Sequence, residues 1–208
     1  MGFRSHGLTA IGRGYDTWLG YYHMAEDYFT HKQNVKLSGD CCPGCAGEYL
    51  DFSNSSAEDE VNHPLTDKGG VYSAYVFAAE AQRLMRRHVS VYAGRPFFAY
   101  LPFQSVHGPE EVPESFKELY NQSGSEHYIA TESRRTHQGM VTALDEAVGN
   151  LTDTFKETGL YNHSLIWFSS DNGGPLGAAN NFPLRYGDDD ARTHARTQHH
   201  AERLAISV

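Results

Sequence analysis

No stretch of this sequence stays apolar for the ~20 residues that a bilayer-spanning helix requires, so no helical membrane span is expected. Basic residues are scarce: 17 Lys and Arg stand against 26 Asp and Glu, a formal net charge of -9. That balance argues against a nucleic-acid partner and disfavours anionic partners generally, although a bound cation could reverse the sign inside one pocket. Cysteine is nearly absent. All three fall in "DCCPGCAG", as Cys41, Cys42 and Cys45. Cys42-x-x-Cys45 lacks the second pair that would complete a structural zinc site, which favours a small local disulfide with one thiol left over. A signal peptide is missing too, because "MGFRSHGLTAIGRGYD" has no apolar core after its basic residues.

What is present suits a globular chain. The 208 residues are 39% hydrophobic, with 13 Tyr and 11 Phe, enough for a sizeable core and suggestive of one domain. Four glycosylation sequons occur, at Asn54, Asn121, Asn150 and Asn162. Chance supplies roughly one per 150–200 residues. The excess points to a glycoprotein of the secretory pathway, and a secreted-type sequence without a leader implies a start upstream of Met1.

The chain is uneven along its length. Residues 1–70 mix Gly, aromatic and polar residues without a sustained period and read as long loops around short elements. "VYSAYVFAAEAQRLMRRHVSV", from about 71 to 91, has helical spacing and a basic last turn suited to the negative helix end. Arg86-Arg87-His88 in that turn read as groups that satisfy carbonyls. "RPFFAYLPFQSV" reads as a strand, with Pro102 marking an edge or bulge. A helix from about 132 to 158 carries Met140, Val141, Leu144, Ala147, Val148, Leu151 and Phe155 on one face and stops near Gly159. "HSLIWFSS" is the next strand. Strand, helix, strand makes a βαβ unit, and such apolar strands suit a mostly parallel sheet covered by helices. The fold class is therefore α/β.

Parallel sheets bind ligands beyond the carboxyl ends of their strands. His107 follows the first strand and Asp171-Asn172 the second, so a parallel pairing brings both to one rim. Each has a plainer explanation alone. Asp-Asn-Gly-Gly is a good turn, since Asp and Asn bond their own backbone and Gly tolerates positive φ. A lone His is usually a rim or core residue. Together they suggest a site. Asp171 offers anionic oxygen and Asn172 a neutral carbonyl oxygen, which suits calcium or magnesium. His23, Glu26, Asp27 and His31 also look like a metal cluster and His199-His200 like a metal pair, but metal is disfavoured at both, at the second because nothing else supplies ligands.

"IGRGYDTWLGYYHMAEDYFTH", "FFAYLPFQSVHGPEEVPESF", "HQGMVTALDEAVGNLTDTFKETGLYNHSLIWFSSDNGG" and "NNFPLR" together resemble the arylsulfatase family, most closely the arylsulfatase B (N-acetylgalactosamine-4-sulfatase) type, from about residue 11 to Arg185. The resemblance implies an alkaline-phosphatase-like fold and hydrolysis of sulfate esters by a formylglycine made from a Cys-x-Pro-x-Arg cysteine, with calcium bound. It gives Asp171 and Asn172 as metal ligands and His107 as a catalytic residue contacting the sulfate. A lysosomal or extracellular location is implied too.

The departures are equally specific. No Cys-x-Pro-x-Arg occurs, so no nucleophile is assigned; the family's early Asp-Asp pair and its Lys-Trp-His-Leu-Gly segment are also missing. Met1 falls about where that segment should end. The segment 1–187 therefore reads as a partial sulfatase domain, and 188–208 as a divergent, disordered tail, with three acids and then scattered Arg and His. The expected function is a sulfuric ester hydrolase by lineage, acting on sulfated glycans or aryl sulfates but inactive as this chain. A non-catalytic sulfated-glycan-binding or regulatory fragment is one alternative. A phosphatase or phosphodiesterase of the same superfamily, with a Ser or Thr nucleophile, is another.

Overall fold

A computed structural model describes residues 6–23, 25–35, 47–59, 61–174, 178–179 and 203–207. Cys41, Cys42, Cys45, His199, His200 and the "NNFPLR" block lie outside the described residues. The chain divides into two units, Met1–Ser73 and Ala74–Val208, a boundary inside the segment 1–187 read above as one partial domain.

The first unit has short elements, as its aperiodic sequence leads one to expect. Two 3-10 turns, His6–Leu8 and Ile11–Arg13, precede strand β1 (Thr17–Gly20). Gly14 ends the second turn at φ 95°, a left-handed conformation that glycine adopts without a Cβ penalty. Strands β2 (Lys32–Val35) and β3 (Gly47–Leu50) pair antiparallel; β4 (Ser53–Ser56) lies between β1 and β5 (His63–Pro64) in a second antiparallel sheet. Aromatic packing holds this unit together. Tyr28 stacks on Tyr72 at 5.2 Å and His31 on Phe52 at 4.4 Å, all four buried. Stacked rings of this kind contribute about 0.5–1.5 kcal/mol beyond the area they bury.

The second unit contains the strand–helix–strand pattern. Helix α1 (Ser73–Val91) is followed by β6 (Phe98–Leu101), which stops at Pro102 as a residue without an N–H should. A short α2 (Glu114–Glu118) leads to α3 (Glu132–Glu157), then a 3-10 turn (Tyr161–His163) and β7 (Leu165–Ser169). Helix α3 buries His137, Met140, Leu144, Ala147, Leu151 and Phe155, a stripe at three- and four-residue spacing. Val141, expected on that face, is 38% exposed. Gly159, at φ 75°, closes the helix where expected. Gln82 of α1 donates to Thr154 Oγ1 (2.8 Å) and to the Asn150 carbonyl (3.0 Å), tying α1 to α3. At the end of α1, His88 Nε2 donates to the Arg95 carbonyl at 2.9 Å, whereas Arg86 reaches across to Thr154 and Glu157.

The sheet differs from expectation in its pairing and in its cover. Strands β6 and β7 are parallel to each other but not hydrogen-bonded to each other: β8 (Arg203–Ser207) runs antiparallel between them. The tail expected to be disordered thus contributes a strand, while residues 188–202 lie outside the described residues. Nor is β7 covered on its faces. All five of its residues are exposed, Leu165 and Trp167 by 66% and 64%.

Candidate active site at the rim of the β6–β8–β7 sheet

Register fixes which ends of the strands coincide. Through β8, Phe98 is level with Leu165 and Leu101 with Phe168, so β6 and β7 leave the sheet along the same edge. One intervening strand separates them by about 10 Å. In the chain, His107 follows β6 and Asp171-Asn172 follow β7.

The β6 loop turns tightly over buried polar residues. Gln104 and Ser105 are 1% and 0% exposed, and the His107 amide donates to the Gln104 carbonyl at 2.9 Å. His107 Nδ1 lies 2.7 Å from the Gly108 carbonyl oxygen. A carbonyl only accepts, so Nδ1 carries the proton in this bond.

On the other side Asp171 and Asn172 are exposed. Ser170 Oγ donates to the Asn172 carbonyl (2.6 Å) and Asn172 Nδ2 to the Gly173 carbonyl (2.7 Å), which makes the segment a locally bonded turn, as its composition indicates. That bond uses the amide nitrogen and leaves Oδ1 as the end of Asn172 available to a cation. Carboxylate and amide oxygens are the donor types a hard cation takes, although calcium requires six to eight oxygens and these residues give two side chains. The fit is in kind and not in number. Among the described residues no cluster of three His, Cys, Asp or Glu side chains could hold a metal.

One residue at this rim escaped the sequence reading. His137, on the second turn of α3, is 5% exposed; its Nδ1 stands 3.5 Å from Glu110 Oε1, and its Nε2 is 3.7 Å from where a Cβ on Gly174 would sit. It therefore stands beside both the loop that carries His107 and Gly174, which ends the turn that carries Asp171-Asn172. Burial pushes its pKa below the usual imidazole value, against the opposing pull of Glu110. Its position on the apolar stripe, three residues before Met140, was the available signal.

The other sequence candidates serve the first unit. His23 pairs with Asp51 at 2.7 Å, and Asp27 Oδ1 accepts from the Phe29 and Thr30 amides. His31 Nε2 donates to the Lys68 carbonyl at 3.1 Å. Glu26 is fully buried, and that burial, reinforced by the charges of Asp51 and Asp27, raises its carboxyl pKa to about 9. Of the sequons, Asn121, Asn150 and Asn162 are exposed, whereas Asn54 is half-buried on the central strand β4.

The Sulfatase family model matches residues 3–202. Arylsulfatase J of Mus musculus is 33% identical over 186 residues, covering 89% of this chain and 27% of its own length. An ulvan-active sulfatase of Formosa agariphila is 28% identical over 128 residues, covering 56% of this chain and 24% of its own. The chain thus spans about a quarter of these curated relatives. Crystal structures of Ps i-CgsB, one in complex with k-i-k-neocarrahexaose, superpose with TM-scores of 0.66 and 0.65 at 22% and 21% identity, over 97% of this chain and 41% of that one. The α/β architecture is accordingly the alkaline-phosphatase-like fold of these neighbours. With two hundred consecutive positions under one family model, the chain belongs to the sulfatase family.

Proposed function

We propose that this chain carries one half of a sulfate-ester site, with Asp171 and Asn172 as oxygen ligands of calcium and His107 as the proton-handling residue. The observation behind this reading is the common edge at which β6 and β7 end, with an imidazole beyond one strand and an acid–amide pair beyond the other. Bound calcium would supply positive charge against the oxygens of a sulfate group. The protein groups orient and exchange protons. The bond from Nδ1 to Gly108 holds the His107 ring, so Nε2, once it has taken up a proton, could donate it to the leaving oxygen of an ester; such a positioned acid is worth about 10²–10⁴ in rate. The substrate class is a sulfated glycan or an aryl sulfate, and a relative named as ulvan-active supports the glycan. The exposed sequons support passage through the secretory pathway, with a lysosomal or extracellular destination.

The 208 residues contain no Cys-x-Pro-x-Arg, and we infer that they do not turn over sulfate esters unaided. The purified chain, given calcium and an aryl sulfate, should match a buffer blank. Turnover above blank would overturn the inactivity. Calcium binding lost on Asp171→Ala supports the site; binding unaffected by that change removes it. The same absence of a nucleophile favours one second reading, a non-catalytic chain that binds sulfated glycans, which saturable glycan binding without hydrolysis would reveal.

A further inference from the structure

The side-chain bonds of the acid–amide turn are local, Ser170 to Asn172 and Asn172 to Gly173, and the strand that delivers it is exposed at all five positions. Such a segment samples many orientations unless something outside it fixes one. The buried imidazole of His137 is a group that stands beside it on the helical layer. Nε2 approaches Gly174, two residues past Asn172, and no side chain fits there because a Cβ would collide with Ala179. The opposite nitrogen faces Glu110, three residues past His107. Glu110 is anchored to α3 a second time, through Ser133 Oγ to Oε2 at 2.9 Å. Residues 133 and 137 are one helical turn apart, so the carboxylate bridges a single face of α3.

We propose that His137 is the positioning residue of the rim: a wedge on α3 that seats the turn bearing Asp171-Asn172 and the loop bearing His107 against one rigid element. It touches no substrate. Its action is to fix where the proposed ligands stand, and in that respect the idea rests on the calcium reading above. Ligand sites need such support because their groups must be held within about half an ångström of working geometry.

The two ring nitrogens can be replaced separately. His137→Gln keeps an amide near the Nε2 position, His137→Asn keeps one near Nδ1, and His137→Phe keeps only the ring volume. Hydrogen exchange of the intact chain reads the consequence without any metal. His137→Phe should speed exchange about tenfold in both 105–112 and 169–174, leaving the C-terminal half of α3 unchanged. His137→Gln should restore 169–174 alone, and His137→Asn 105–112 alone. Terbium, a luminescent stand-in for calcium, should bind His137→Phe about tenfold more weakly than the parent.

A folded His137→Phe with both segments within about twofold of the parent would overturn the proposal. So would loosening spread evenly along α3. If His137→Phe does not fold, the Gln and Asn variants decide alone, and identical exchange in both counts against a two-armed wedge. A parent chain that ignores terbium would defeat the calcium reading, while the exchange pattern would still judge His137.

Discussion

His107 donates from Nδ1 to the carbonyl oxygen of Gly108, 2.7 Å away and one residue on in the chain. This bond selects the tautomer. In nitrogen-correlated NMR spectra, neutral His107 should show its proton on Nδ1. A neutral ring with its proton on Nε2 would contradict the bond from Nδ1 to Gly108 that orients the imidazole.

The metal reading makes a graded prediction. Asp171→Ala deletes the only charge of the pair and should cost at least about tenfold in terbium or calcium affinity, and Asn172→Ala a smaller factor, since calcium sites are tuned by ligand charge. Luminescence sensitised by Trp167, four residues before Asp171, would follow both titrations. Equal losses from the two variants would speak against direct ligation by the carboxylate.

Gly174 has no space for a side chain. A Cβ there would collide with Ala179 and stand 3.7 Å from His137 Nε2. Gly174→Ala should therefore displace the turn, weakening terbium binding and destabilising the unit by about 1–3 kcal/mol, the usual range for overpacking. Denaturant unfolding beside the titration checks both effects.

Glu26 gives a pH dependence whose sign follows from linkage. Burial raises its carboxyl pKa to about 9 in the folded chain, from an ordinary value of 4.5. Between these values the folded state holds a proton that the unfolded state has released, so stability falls as pH rises. His31, lowered by burial, acts in the opposite sense, as pH drops below 6.5. Urea midpoints at pH 7 and pH 8.5 separate the two. The parent should lose stability across that interval and Glu26→Gln much less; parallel curves would mean that Glu26 ionises freely in the fold.

Both faces of β7 predict behaviour in solution. Leu165 and Trp167 on one face are 66% and 64% exposed, and Phe168 on the other 56%. Such a patch promotes association and binds hydrophobic dyes. The isolated chain should be poorly soluble, enhance such a dye strongly and melt without a sharp transition. A narrow cooperative melt with no dye response would contradict this.

The helices and strands of the second unit were legible because their signals are local. The α3 stripe, Gly159 past its end and Pro102 after β6 each act within a few residues. Asp171-Asn172-Gly173-Gly174 was legible as a turn by composition, but its role as a ligand pair entered through resemblance. Strand β8 was not legible. "RLAIS" is five residues in a polar tail, and its place between β6 and β7 depends on partners at least 34 positions away. The strands of the first unit, such as "KQNV" and "SNSS", lack apolar alternation, so pairing and not patterning defines them. His137 was hidden for a different reason. Its chemistry depends on Glu110 and Gly174, which only folding brings to it.

The most direct test is a gadolinium titration followed at the histidine ring protons. Gadolinium seated at Asp171-Asn172 should broaden His107 and His137 first and spare His163, which lies beyond the far end of β7; Asp171→Ala should abolish the selectivity. Broadening that reaches His163 no later than His107, or that persists in Asp171→Ala, would contradict a shared rim and the sulfate-ester site built on it.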